Sequence, residues 1–159
     1  MSEPGKLPFE VTRARRAGAR LAAVQALYQM EQTGRGGAAV IREFMEDRLG
    51  IGPEGEPVEE ADPDLFKSIV NAVIARQEEI DAAITARLAK GWRLARLDTI
   101  SRAILRAGAA EYLVHPELSQ AIIVDEYVSL AHDFFEDSAE AKFVNGVLDK
   151  LGADLRPQG

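Results

Sequence analysis

Apolar residues return every three or four positions through nearly the whole chain, and no stretch alternates convincingly at period two. That pattern restricts the chain to helices that each bury one stripe, because a half-buried strand needs its apolar side chains on every second residue. The first helix is predicted from Thr12 to Gln32, with Thr12 as N-cap, Ala17, Leu21, Val24 and Tyr28 at helical spacing, and Gly34 as the stop. Arg35 to Leu49 carries Val40, Ile41, Phe44, Met45 and Leu49 and reads as a short amphipathic helix, followed by a solvated loop from Gly50 to Asp62. Asp62 and Pro63 form an N-cap and N1 pair. They open a stretch to Leu88 that reads equally as one helix or as two with a bend near Gln77, where Arg76, Gln77, Glu78 and Glu79 interrupt the stripe. Lys90-Gly91-Trp92 marks a break, Asp98 or Thr99 starts the next helix, and His115-Pro116 stops it, since the residue before a proline is pushed out of the α region. A further helix runs from Ser119 to about Phe135, and Ser138 caps a last one containing Phe143, Val144, Val147, Leu148 and Leu151.

The expected fold is therefore all-α, about seven helices in two packed bundles that share one domain over residues 12–152. The N-terminal bundle is expected over about 12–75 and the C-terminal bundle over about 76–152, with a flexible tail at 1–11 and a C-terminal tail at 153–159.

Several classes of chemistry drop out on composition. The chain has no cysteine, which removes disulfide frameworks, thiolate nucleophiles and cysteine-based zinc sites together. Its two histidines, His115 and His132, have no neighbour pattern that would activate a nucleophile. His132 and Glu136 lie four apart, but two ligands do not make a metal site. Gly34-Arg35-Gly36-Gly37 lacks both the following Lys-Ser/Thr and the preceding strand of a phosphate loop. No catalytic residue, cofactor or metal is expected. With no apolar run suited to a signal peptide or a membrane span, the cytoplasm is the simplest home.

The formal net charge of −7 speaks against indiscriminate coating of nucleic acid, so charge has to be read locally. Arg13, Arg15, Arg16 and Arg20 stand between Thr12 and Met30 with no acid among them, whereas Glu54, Glu56, Glu59, Glu60, Asp62 and Asp64 crowd one short stretch. Arginines in a first helical turn oppose the helix dipole, so folding alone would not select them. Arg13, Arg16 and Arg20 fall within roughly a 60° arc at 100° per residue and are expected to form one patch, with Arg15 pointing elsewhere. A second basic run, Arg87, Lys90, Arg93, Arg96, Arg102 and Arg106, has Asp98 as the only acid between. Within it Arg93, Arg96 and Arg102 are candidates for a secondary basic surface, although cations near a helix C-terminus are also favourable for the dipole alone. Glu111, on a face rich in small residues, is expected to pair with an arginine such as Arg102 or Arg106.

Phe143-Val144-Asn145-Gly146-Val147-Leu148-Asp149-Lys150-Leu151 resembles the signature ending of the NusB family. It is joined, in the family's order and at about its spacing, by three further blocks. These are Ala23-Val24-Gln25-Ala26-Leu27-Tyr28 after the arginine-rich start, Ser101-Arg102-Ala103-Ile104-Leu105-Arg106 followed by Glu111, and Ile123-Val124-Asp125-Glu126 with Leu130-Ala131 and Phe134. The resemblance implies a NusB-like fold and a role in antitermination of ribosomal RNA operons. It implies binding of a boxA-type RNA together with NusE, a small-subunit ribosomal protein, within an RNA polymerase antitermination complex. Arg16 and Arg20 match the family's RNA-contacting arginines, Arg13 and Arg15 extend that segment, and Tyr28 and Phe143 match aromatics on the family's RNA side, with Lys142 beside them. A monomer and a homodimer that hides the RNA face are both compatible with the sequence.

Departures from the family pattern are local. Gly18 stands where other members can carry a further arginine, and Asp125 and Tyr127 replace an amide and a small residue. For Tyr28 and Phe143 a role in the core is the competing reading. Two other functions compete with antitermination: an RNA-binding module like that preceding the catalytic domain of RNA cytosine methyltransferases, and a helical scaffold that binds only protein. The chain's length and its lack of cysteine are expected to disfavour the first, and salt-dependent RNA binding separates the second.

Overall fold

A computed structural model describes residues 9–51, 55–57 and 60–156. Residues 1–8 of the expected N-terminal tail, 157–159 of the C-terminal tail, and 52–54, 58 and 59 of the acidic loop lie outside these. Seven α-helices are present among the described residues: α1 Phe9–Thr33, α2 Gly37–Asp47, α3 Pro63–Ala75, α4 Gln77–Ala86, α5 Thr99–Val114, α6 Gln120–Phe134 and α7 Ser138–Leu155. A single 3-10 turn, Leu94–Arg96, lies between α4 and α5. No strand occurs among the described residues, only an isolated bridge between Ile51 and Pro57. The fold is all-α.

Local chemistry explains the boundaries. Asp62 accepts hydrogen bonds from the amides of Asp64 (3.0 Å) and Leu65 (3.1 Å), with Pro63 as the first residue of α3. Asp98 caps α5 through the Ile100 amide at 2.8 Å, and Ser119 caps α6 through the Ile122 amide at 3.2 Å. The last helix is capped by Asp137 rather than by Ser138, which is its first residue; the Asp137 carboxylate accepts from the Ala139 amide at 2.9 Å. Between the two readings of the stretch to Leu88, the structure has two helices, interrupted at Arg76. Gly34 ends α1 at a φ of +70°, a conformation that glycine adopts without a Cβ penalty. Both outer helices run further than the sequence predicts, α1 from Phe9 and α7 to Leu155, so Phe9–Val11 and Ala153–Leu155 are helical rather than tail.

The chain groups into two compact units, residues 1–67 and 68–159. The division falls within α3, some eight residues before the boundary expected at about 75. A broken stripe marks the end of a helix, not the place where packing partners change.

In the first unit α1 packs on α2. Phe44 of α2, fully buried, stacks on Phe66 with ring centroids 5.6 Å apart, and the Arg48 guanidinium lies 4.5 Å from the Phe44 ring centre. Glu43 accepts from the Gln29 amide (2.7 Å) and the Arg35 guanidinium (3.0 Å), tying α2 to the end of α1. The Gln29 hydrogen bond, with Arg35 adding to it, holds the Glu43 carboxyl below its ordinary range.

The second unit is a bundle of α4 to α7 with α5 at its centre, contacting α4, α6 and α7. Eleven residues of α5 are buried, among them Ile104, Leu105, Ala107, Ala109 and Ala110. Gly108 allows the close approach of α7, since a Cβ there would sit 2.7 Å from Leu148 Cδ2. Tyr112 donates its hydroxyl hydrogen to the Leu148 carbonyl at 2.8 Å, and burial pushes its phenol up to about 12. Arg156 closes the unit by donating to the carbonyls of Tyr112 (3.0 Å) and His115 (2.6 Å). The Arg106 guanidinium meets Asp81 in a two-point pair (2.9 and 3.0 Å). Glu111 takes the Tyr127 hydroxyl at 2.7 Å, so a neighbouring helix supplies a donor to this carboxylate that the arginine-only expectation did not include.

Candidate nucleic-acid interface

In the first unit the basic segment lies on the N-terminal turns of α1. Arg13 and Arg16 are exposed one turn apart, and the Arg16 side chain makes no hydrogen bond or ion pair among the described residues. Because α1 begins at Phe9, Arg13 sits in the second turn and opposes the dipole less than a first-turn arginine would. Arg15 is half-buried, and its Nε donates to the Glu60 carbonyl at 2.9 Å while its own carbonyl accepts from the Asp62 amide at 2.9 Å. Its guanidinium thus braces the chain entering α3.

Arg20 does not join the exposed patch; it is buried at 3% exposure. It shares the direction of Arg13 and Arg16 but not their surroundings. Ala19, Ala22, Ala23, Val24, Ala26 and Leu27 are also buried, covering an arc of about 200° that includes that direction. One helix face therefore meets solvent at its start and is covered a turn later, which periodicity alone does not reveal. Gly18 lies at this transition, where a Cβ would stand 3.3 Å from Ala61 Cβ, so a long side chain would crowd the loop. Tyr28 is 40% exposed and stands about 18 Å along the axis from Arg16 at 1.5 Å per residue. Its ring is available at the surface, though not beside the arginines.

In the second unit a groove of ≈ 460 Å³ runs between the α4–α5 connection and the start of α7, lined by Trp92, Arg96, Asp98, Ser101, Glu140 and Phe143. Phe143 is half-buried and also lines a neighbouring hollow with Lys142, Gly146 and Lys150. Arg96, Lys142 and Phe143, far apart in sequence, are thereby brought to one surface. Arg93 and Arg96 are exposed, as are Lys90, Lys142 and Lys150, and no side chain of the five makes a hydrogen bond or ion pair among the described residues. The acids of the groove are engaged: Asp98 caps α5, and Glu140 accepts from the Ser101 hydroxyl at 2.9 Å.

Arg102 is a correction to the secondary basic surface. It is 7% exposed, and its Nη1 donates to the carbonyls of Leu94 (3.1 Å) and Leu97 (2.9 Å). On a helix buried on nearly every side a guanidinium has to find acceptors inside, and this one fastens the 3-10 turn that carries Arg96. Arg87 is likewise committed, to a two-point pair with Asp154 that raises the arginine's pKa and lowers that of the carboxylate.

Sequence reasoning missed Trp92, which it read only as part of a break. The available signal was a tryptophan in a glycine turn, set between Lys90 and Arg93. No cluster of three or more metal-ligating side chains occurs among the described residues, and no helix there is long and apolar enough to cross a membrane.

Comparison with known proteins places this geometry. The model of the NusB family matches residues 17–153. A transcription antitermination protein NusB from Hyphomonas neptunium is 70% identical over 151 residues, covering 95% of this chain and 97% of that one. The protein of the same name from Maricaulis maris is 50% identical, covering 91% and 89%. Among solved structures, NusB of T. maritima superposes with a TM-score of 0.73 at 25% identity, over 89% of this chain and 93% of that one. A crystal structure of the antitermination factors NusB and NusE in complex with dsRNA gives a TM-score of 0.71 at 25% identity, over 89% and 98%. A family model spanning most of the chain, and a near-full-length relative at this identity, establish that the chain belongs to the NusB family, whose relatives compared above are transcription antitermination proteins.

Proposed function

We propose that the chain is a non-catalytic, cytoplasmic antitermination factor that binds a boxA-type RNA of ribosomal RNA operons jointly with NusE, as part of an RNA polymerase antitermination complex. The observation that carries this reading is the concentration of exposed cations on a chain of net charge −7: Arg13 and Arg16 on α1, and Arg93, Arg96 and Lys142 in the second unit. Cations held at the surface in this way are suited to phosphates. Tyr28 and Phe143 offer rings on which bases can stack. The solved NusB–NusE–dsRNA neighbour supports RNA and NusE as the partners.

The test is a titration of boxA-type RNA with and without NusE at two salt concentrations. Affinity should rise with NusE and fall with salt. Arg13→Ala with Arg16→Ala should weaken binding across RNA sequences and flatten the salt dependence by about 0.7 for each phosphate no longer neutralised. A double variant with the parent's affinity and salt slope would remove α1 from the RNA face. NusE binding with no RNA binding under either condition would identify a protein-only scaffold instead.

A further inference from the structure

Trp92 is the only tryptophan of the chain and is 58% exposed, at the apex of the connection between α4 and α5. Nothing in the fold requires it there, because a large ring left in water contributes little to stability. Yet its position is held firmly. Its amide donates to the Ala89 carbonyl at 2.9 Å, and Gly91 before it takes a φ of +89° that closes the turn. Beyond it, the buried Arg102 grips the carbonyls of Leu94 and Leu97. The ring is thus an exposed apolar surface on a braced loop.

Its surroundings are selective. Trp92 and Phe143 line the same groove, whose ≈ 460 Å³ has room for a nucleobase. Lys90 and Arg93 flank the tryptophan in sequence, Arg96 lines the groove, and Lys142 and Lys150 line the hollow on the other side of Phe143. An apolar peptide would leave these five cations unmatched, and an acidic peptide would not use two aromatic rings. A strand that alternates phosphates with flat rings uses both features.

We propose that this groove is a binding site for single-stranded RNA in which an unstacked base packs on Trp92, beside Phe143, while Lys90, Arg93 and Arg96 contact the flanking phosphates. This assignment deepens the RNA-binding reading and rests on it. A base inside a duplex is already stacked on its neighbours, so the groove selects single strands.

Because the chain has one tryptophan, its fluorescence reports on this site alone. The full-length protein would be titrated with a short boxA-type single-stranded RNA and with the same strand annealed to its complement. Single-stranded RNA should quench Trp92 on binding, and the duplex should not. Trp92→Ala should weaken single-strand binding by roughly 5- to 150-fold, the equivalent of one stacked base, with an unchanged salt slope. Trp92→Phe should restore most of the loss, whereas Arg96→Ala should lower the slope by about 0.7. As Trp92 is exposed, both of its variants should melt like the parent.

Quenching that is equal with the duplex, or unchanged affinity in Trp92→Ala when the parent binds RNA, would overturn the proposal and leave the RNA-binding reading standing. So would a Trp92→Ala protein that binds RNA normally but loses NusE, which would assign the groove to a protein. A parent that binds no RNA, with or without NusE, would overturn both.

Discussion

On the resemblance to the NusB family Tyr127 stands in place of a small residue, and in this chain its hydroxyl has a partner inside the bundle. Its ring is fully buried, and its hydroxyl donates to Oε1 of Glu111, itself fully buried, at 2.7 Å. Tyr127→Phe keeps the ring and removes only that donor, so packing is nearly preserved while one oxygen of an enclosed carboxyl loses a partner. Hydrogen bonds to charged groups contribute about 1.5–3 kcal/mol, and this one is lost inside the bundle. For a chain of this length each kcal/mol lowers the melting temperature by about 2–4 °C, which predicts a fall of about 3–12 °C.

Thermal and urea denaturation followed by circular dichroism measure the effect, and a double-mutant cycle with Glu111→Leu, which removes the acceptor, isolates the pair. The coupling should be at least about 0.5 kcal/mol, as for residues in one hydrogen-bond network. Tyr127→Ala should be worse than Tyr127→Phe, since it also opens a cavity in the centre of the bundle. RNA affinity measured well below the transition should not change in Tyr127→Phe. A Tyr127→Phe protein within about 0.5 kcal/mol of the parent, with no coupling in the cycle, would refute the reasoning by showing that Glu111 is satisfied without this hydroxyl.

Two further outcomes are expected. Tyr112 has its phenol raised by burial from 10.0 to about 12, so the unfolded chain loses this proton first as pH rises. Stability should therefore be unaffected by this group below pH 10 and fall by about 1.4 kcal/mol per pH unit between 10 and about 12. In urea melts across that range Tyr112→Phe should lack this slope, and an identical slope in the variant would assign it to other groups. Arg102→Ala should destabilise by about 1.5–3 kcal/mol because the Leu94 and Leu97 carbonyls lose their donor, with the RNA salt slope retained. A flattened slope with an unchanged melting temperature would instead return Arg102 to the RNA surface.

What the sequence shows by itself depends on the physics of each feature. Helix identity, most caps and the break near Gln77 are local: Asp98 and Ser119 cap their own backbone, and the charges from Arg76 to Glu79 interrupt one stripe whatever surrounds them. The cap of α7 falls one residue before Ser138 because Asp137 offers the same chemistry one position earlier. Arg20 and Arg102 depart from expectation for a different reason. Helical spacing fixes the direction of a side chain but not whether that direction is covered, and both arginines lie where a helix is enclosed on more than its apolar stripe. The signal of Trp92 is tertiary, since only folding brings it to the groove that Phe143 lines from fifty residues away.

The charge distribution bears on why such a chain should act with a partner. Nearly all sequence-independent affinity for nucleic acid comes from phosphate neutralisation, about 0.7 in salt slope per contact on a single strand. Here several arginines of the two basic runs are withdrawn from the surface, since Arg20 and Arg102 are buried, Arg15 is tied to the Glu60 carbonyl and Arg87 to Asp154. The net charge of −7 opposes the cations that remain, so sliding on arbitrary RNA is disfavoured. In the proposed reading a small electrostatic term brings the strand to the surface and stacking selects unpaired bases. Neither alone gives tight binding, so adding a second protein on the same RNA should raise affinity through shared occupancy of one strand, the effect that an effective concentration produces without any new contact to the groove.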